Sequence, residues 1–311
     1  MLKKNLFYVG IIVSASGLIG PPFALAAGLA FGLSVTHPFP SESRSLSKFL
    51  LQAAVVCLGF GMNLKEVVHA GATGFLYTAI SIAFALSLGI LLGKMLQVGK
   101  TQSMLISFGT AICGGSAIAA MGPVLEANDE EMAVSLGTVF VLNSVALLIF
   151  PLIGHAVHFS ETQFGLWAAL AIHDTSSVVG ASAKYGPTAL AIGTTVKLAR
   201  ALWIAPIVIA TAILKKSRAK VSWPWFILYF CVAAVLASYL PHYVPRAEDF
   251  FSALYRLGRA ALTVVLFLIG TGITRNTLKE VGARPLVQGV ALWIVVASLS
   301  LWAIHAGWIK L

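Results

Sequence analysis

Gly109-Thr110-Ala111-Ile112-Cys113-Gly114-Gly115-Ser116-Ala117 lies inside an apolar run that extends from Gln102 to Met121. Its glycines and hydroxyl residues make a poor continuous helix, because each Gly costs about 1 kcal/mol relative to Ala. Within a bilayer the backbone breaks only where protein or a water-filled cavity satisfies its polar groups. A broken helix leaves free N–H groups, and the positive end of a dipole, at the start of its second half. Such an end receives anions, and small residues let a ligand approach the backbone. The same small residues also serve close helix–helix packing, which membrane helices use widely. Spacing alone leaves both readings open.

The surroundings of this run are uniformly apolar. Of 311 residues, 59% are hydrophobic and 10% charged, and mean hydropathy is +0.91. Soluble domains carry about 25% charged residues. The composition therefore excludes a soluble globular enzyme, a disordered chain and a nucleic-acid-binding protein. Cys57, Cys113 and Cys231 all lie in apolar segments without CxxC spacing, so neither a disulfide framework nor a metal site is indicated.

A helix needs roughly 20 apolar residues to cross the hydrocarbon core. The pattern predicts an all-α polytopic membrane helix bundle of about eleven spans. They are Asn5–Ile19, Pro22–Val35, Leu46–Gly61, Gly71–Leu96, Gln102–Met121, Met132–Val157, Phe164–Ala181, Pro187–Leu214, Val221–Leu240, Leu254–Ile273 and Leu286–Trp308. Gly20-Pro21-Pro22 marks a break between the first two, which favours two short helices over one kinked helix. The start also resembles a signal peptide, with Lys3-Lys4, an apolar stretch and Ser14-Ala15-Ser16-Gly17. A second apolar stretch follows at once, which favours a retained segment. The loops are too short for a soluble domain, so residues 1–311 read as a single transmembrane domain.

Basic residues set the orientation. With the amino terminus in the cytoplasm, the inner side holds thirteen of the 21 Lys and Arg: Lys3, Lys4, Arg44, Lys48, Lys94, Lys100, Lys215, Lys216, Arg218, Lys220, Arg275, Lys279 and Arg284. The outer side holds Lys65, Lys184, Arg246, Arg256, Arg259 and Lys310, with the acidic group Glu126, Asp129, Glu130 and Glu131. Trp223 and Trp225 flank the basic inner loop as interfacial aromatics do.

Two internal similarities stand out. Gly59-Phe60-Gly61 followed by Leu64-Lys65-Glu66-Val67 matches Gly270-Thr271-Gly272 followed by Leu278-Lys279-Glu280-Val281. The predicted topology places these loops on opposite sides, the inverted-repeat pattern of secondary transporters. Ala111-Ile112-Cys113-Gly114-Gly115-Ser116 pairs with Ala171-Ile172-His173-Asp174-Thr175-Ser176, but these copies run in the same direction. One segment would then be a re-entrant hairpin or a broken span, and the sequence leaves that open.

The second of these runs carries ionisable groups. A charge near the bilayer centre costs about 2.5–3.5 kcal/mol on insertion scales and marks a functional residue with a partner. For Asp174 the expected partners are Lys197 and Arg200, three residues apart on one helical face, and an Asp174–Lys197 ion pair is predicted. A fixed salt bridge that only pins two helices is the alternative. Lys197 and Arg200 against Asp174 leave a surplus positive charge that calls for an anion, and protonated His173 would add to it. Asn143 and Ser144 line the same cavity or bridge helices. Arg256 and Arg259 draw anions to an outer vestibule or snorkel to the interface.

At these residues the chain is identified as a member of a known family. Gly109–Ala120, then Ala171–Thr175, then Val196-Lys197-Leu198-Ala199-Arg200 resemble the YeiH-type family of bacterial inner-membrane proteins, to which sulfate export is ascribed. The Gly-rich third span Leu58-Gly59-Phe60-Gly61 also fits. The chain departs at Thr175–Val179, where the family more often carries a Gln. The resemblance implies a fold like that of sodium/proton antiporters and bile-acid-type carriers, with crossed broken helices in a moving core.

The leading expectation is secondary active transport of a small inorganic or sulfur-containing anion by alternating access, coupled to protons or sodium. The expected substrate-binding residues are Thr110, Cys113, Gly114, Gly115, Ser116, Thr175, Ser176, Lys197 and Arg200, with His173 and Asp174 coupling an ion. An anion channel is the alternative, and an intramembrane enzyme using His173 with Ser116 or Cys113 is a weaker one, since HExxH and GxSxG are absent. GxxxxGK[ST] is also absent, so ATP is not the direct energy source. No cofactor, metal or nucleic acid is expected. The partners are the anion and the lipid bilayer of the bacterial inner membrane, and a homodimer is left open.

Overall fold

The computed structural model describes residues 2–35, 37–62, 64–215, 225–244, 246–272 and 282–310. Fourteen α-helices and one 3-10 turn occur among the described residues, with no strand. Among them, 71–95, 130–156, 187–215, 225–242, 247–272 and 283–305 are long and apolar enough to cross a membrane. The other expected segments are helices that are shorter, more polar or split in two. The basic residues Lys216, Arg218, Lys220, Arg275 and Lys279, Trp223, and the repeat continuation at 278–281 lie outside the described residues.

The chain divides into two compact units. The first comprises Met1–His69 and Pro224–Arg275. In it, α1 (Leu2–Ala15) and α2 (Pro21–Ser34) are separate helices, as the Gly20-Pro21 break predicts. Pro21 opens α2, where its missing N–H costs nothing. The long α13 (Ala247–Gly272) packs against α2 and α3 (Pro40–Gly59), and α12 (Trp225–Tyr239) packs against α3. Glycines make these approaches possible. A Cβ on Gly28 would stand 2.2 Å from the Phe267 carbonyl, and one on Gly270 would stand 2.6 Å from the Leu25 carbonyl and 2.7 Å from the Leu29 nitrogen. Gly59 meets the Phe230 carbonyl at 2.7 Å in the same sense. Gly59 and Gly270 of the first internal repeat thus have a packing role, whereas a Cβ on Gly272 would meet nothing within 4 Å. Gly270→Ala forces backbone from backbone, an overpacking cost of about 1–3 kcal/mol. Thermal unfolding in detergent should register it, while Gly71→Ala, whose Cβ would sit 3.8 Å from Thr195 Cγ2, stays near wild type.

His37, in the connection between α2 and α3, ties this unit together. Its Nδ1 accepts from the Phe39 N–H at 2.9 Å, and its Nε2 lies 3.0 Å from Thr271 Oγ1. Accepting at Nδ1 and donating at Nε2 requires the neutral ring. Burial lowers its pKa from 6.5, partly opposed by Glu42. A His with a lowered folded pKa stabilises the fold fully above its unfolded pKa of about 6.5 and ceases to do so as pH falls through the folded value. Acidification below about 6.5 should therefore lower the melting temperature, and His37→Gln should flatten that part of the profile.

The second unit comprises Ala70–Trp223 and Asn276–Leu311. Its described helices are most of α4 (Leu64–Met95), then α5 (Lys100–Ala111), α6 (Gly115–Met121), α7 (Asp129–Ala156), α8 (Glu161–Ala171), α9 (Thr175–Tyr185), α10 (Pro187–Ala201), α11 (Ile204–Lys215) and α14 (Ala283–His305). Capping boxes start two of them: Asn128 with Glu131 opens α7, and Ser160 with Gln163 opens α8. Glu131, expected as part of an outer acidic cluster, thus serves as a helix cap. Buried Gln288 on α14 donates to the Gly89 carbonyl of α4 at 2.9 Å and to Ser103 Oγ of α5 at 2.9 Å, joining three helices. α10 lies along α8 and α9, and α7 lies between α5 and α9.

Candidate functional site

Two expected spans are each split into half-helices. α5 ends at Ala111 and α6 starts at Gly115; α8 ends at Ala171 and α9 starts at Thr175. At about 1.5 Å per residue, α5 and α8 reach only about 18 and 17 Å, well short of a bilayer core of about 30 Å.

The first break follows from glycine chemistry. Gly114 has φ +67° and ψ −129°, a conformation L side chains rarely adopt. A Cβ there would also stand 3.0 Å from Asp174 Cβ, so the two breaks meet at this position. The second break follows from capping chemistry. Asp174 is the N-cap of α9, and its carboxylate accepts from the Ser177 N–H at 2.8 Å. Ser176 Oγ donates to the same carboxylate at 2.5 Å and Ser177 Oγ at 3.0 Å. Asp and Ser favour such positions over helix interiors because their side chains compete for backbone hydrogen bonds.

A helix that ends inside protein leaves its last carbonyls without intrahelical donors. At α8 the carbonyls are all met. Lys197 Nζ donates to Ile172 at 2.6 Å and Ala169 at 3.4 Å; Arg200 Nη1 donates to Leu170 at 2.8 Å; and Trp293 Nε1 donates to Ala171 at 3.1 Å. At α5, Arg200 Nε donates to the Ala111 carbonyl at 2.8 Å, Nη2 donates to the same oxygen, and Nη2 reaches the Thr110 carbonyl at 3.5 Å. Lys197 and Arg200 are fully buried. Two cations thus sit at two helix C-termini, each equivalent to about half a negative charge.

This arrangement corrects the expected Asp174–Lys197 ion pair. Lys197 serves the carbonyl side of the second break and Asp174 serves the amide side, so each charge is met by backbone and neither takes the other as a salt-bridge partner. Sequence spacing could not reveal that the chain breaks immediately before Asp174.

Around the breaks several buried polar atoms have no hydrogen-bond partner: Thr110 Oγ1, Asn143 Nδ2 and both ring nitrogens of His173. Buried polar groups are normally satisfied by protein or water, so orphans call for an explanation. Asn143 on α7 is fixed in place, since its Oδ1 accepts the Asp174 N–H at 3.2 Å. Its polar character in the sixth span had marked it in the sequence. Trp293 had no such mark, because tryptophans of an apolar span look alike until packing orients one.

The remaining expected residues divide. Thr110, Cys113, Gly114, His173 and Ser176 are buried at or beside the breaks, with Gly115 and Thr175 half-buried. Ser116 is exposed on α6, so it does not join the buried group. In the first unit, Arg256 lines an open cavity of about 660 Å³ with Phe60, Gly61, Asp249, Ser252 and Tyr255. Arg259 is not among its lining residues.

Comparison with known proteins places these residues in a broader frame. A family model described as "Conserved hypothetical protein 698" matches residues 14–289. A UPF0324 membrane protein of Geobacter sulfurreducens is 49% identical over 307 residues, covering 99% of this chain and 98% of that protein. One of Bacteroides thetaiotaomicron is 48% identical, covering 93% and 88%, and one of Bdellovibrio bacteriovorus is 45% identical, covering 99% and 96%.

Proposed function

The chain belongs to the conserved hypothetical protein 698 family, that of the UPF0324 membrane proteins, and from that premise we propose that it is a secondary transporter of a small oxyanion. It works by alternating access in the bacterial inner membrane, with the amino terminus cytoplasmic and about eleven segments forming inverted repeats. The crossed, broken helices belong to the moving core, as in sodium/proton antiporters and bile-acid-type carriers. Sulfate or another sulfur oxyanion is the substrate class.

The observation that carries this reading is the meeting of two helix breaks, with Gly114 against Asp174, beside two fully buried cations. Interrupted helices at membrane depth are tolerated where they line a cavity or lie within protein, and transporters bind substrates and coupling ions at such interruptions. The donors left for an anion are Thr110 Oγ1, Asn143 Nδ2 and the ring N–H of His173, since Lys197 and Arg200 already hold carbonyls. They contribute positive potential more than direct contacts.

Uptake of labelled sulfate into proteoliposomes tests this. Wild type is expected to show saturable uptake stimulated by sulfate on the opposite side. Thr110→Val and Asn143→Leu, each removing a donor to a charged ligand, should weaken it about tenfold or more. Thr110→Val should leave thermal unfolding little changed, whereas Asn143→Leu also takes the acceptor from the Asp174 N–H and should lower the melting temperature. Flux that does not saturate indicates a channel, and uptake indifferent to both substitutions removes this site from the pathway.

A further inference from the structure

Resting on the anion-transport reading, we infer that the bound anion and the Asp174 carboxylate compete for the same donors, so that each anion bound places one proton on Asp174. The proton carrier is Asp174 and not its neighbour His173.

The amino-terminal turn of α9 already holds an anion of its own. The Asp174 carboxylate takes the Ser177 N–H and the hydroxyls of Ser176 and Ser177. Beside it, Asn143 presents an unpartnered Nδ2 while 2% exposed, and its other amide arm is bound to the Asp174 N–H. A donor without an acceptor therefore lies next to donors that the carboxylate occupies. A second anion at this place would face a fixed negative charge in a medium of low dielectric, where like charges disfavour each other's ionised forms. Protonation resolves the conflict: the neutral carboxyl keeps its place, the N–H and hydroxyl donors become available, and the acid O–H becomes a further donor.

Charge accounting favours the exchange. The charged and titratable groups that act on Asp174 are Lys197 on α10 and the Cys113 thiol at the first break; Arg200, on the Ala111 and Leu170 carbonyls, and His173, the preceding residue, lie close by, and Asn143 on α7 is neutral. Lys197 and Arg200 are held by backbone carbonyls and remain in place in both states. Trading the carboxylate charge for that of a monovalent anion leaves the net charge of the site unchanged, and a divalent sulfate neutralises the surplus positive charge of Lys197 and Arg200. A proton on His173 would do the opposite. Neither ring nitrogen has a protein acceptor, so a proton there would create a third buried cation that no protein group holds.

The test is proton counting on the purified, detergent-solubilised protein. Sulfate and nitrate, which do not titrate near neutral pH, are added in a weakly buffered solution containing an indicator dye. About one proton should be taken up per anion bound, and where that uptake occurs affinity should fall on the order of tenfold per unit rise in pH. Asp174→Asn should bind without proton uptake and without pH dependence, whereas His173→Gln should keep the proton count. Wild-type binding with no proton uptake overturns the inference while leaving anion transport standing, and this measurement does not depend on any variant folding. Uptake that persists in Asp174→Asn, or vanishes in His173→Gln, overturns it as well. Failure of either anion to bind at any pH from acid to neutral overturns the transport reading with it.

Discussion

Arg200→Ala is expected to be the most damaging single substitution in the chain, lowering the unfolding free energy in detergent by about 3–5 kcal/mol. Arg200 is fully buried and its guanidinium spans two separate helix ends, meeting the carbonyls of Thr110 and Ala111 on α5 and of Leu170 on α8. Alanine leaves those carbonyls without donors in a place water does not readily reach, and each orphan costs about 1–3 kcal/mol. Arg200→Lys should recover only part of the loss, because a single ammonium cannot reproduce a planar fork that reaches two helices. Lys197→Met should cost less than Arg200→Ala, since Lys197 serves the end of α8 alone. Chemical denaturation of the three variants checks the order. A loss under about 1 kcal/mol for Arg200→Ala, the range of exposed ion pairs, would show that these contacts are not what holds the broken helices.

Gly114→Ala is expected to abolish transport while leaving a folded protein. The backbone at Gly114, φ +67° and ψ −129°, is strained for any residue with a Cβ, at a cost of about 1–3 kcal/mol. The added methyl would also press on Asp174 Cβ at 3.0 Å, moving the one point where the two breaks touch. Gly115→Ala is the matched comparison, because its Cβ would meet the Phe140 ring at 3.1 Å and Leu136 Cδ2 at 3.4 Å, side-chain atoms that can shift. Proteoliposome uptake should fall to background for Gly114→Ala and stay measurable for Gly115→Ala. Equal activity in the two would mean that the meeting of the breaks is not needed for function.

Much of this was legible from residue type. Gly109–Ala117 left an interruption and close helix packing both open, and α5 ends within that run at Ala111, with α6 starting at Gly115. Lys197 and Arg200 were marked by their cost in a membrane. What they bond to was not, because charge arithmetic counts side chains and overlooks the partial charges at helix ends. Once α5 and α8 stop inside packed protein, their terminal carbonyls carry partial negative charge, and Lys197 and Arg200 donate to them and not to Asp174. The run from His173 to Ser177 was read as ionisable residues within a span. Its Asp-x-x-Ser spacing is equally an N-cap signal, and that reading places the second break.

By itself the sequence determined that the chain is a helical membrane protein, where its helices weaken, and which buried charges must find partners, because hydropathy, glycine content and the cost of burying charge are local properties. Only the tertiary structure decided the partners. Whether a cation meets a carboxylate or a carbonyl depends on which chain ends packing brings within 3 Å or so, and that distance is set by residues far apart in the chain, such as Ala111, Leu170 and Arg200.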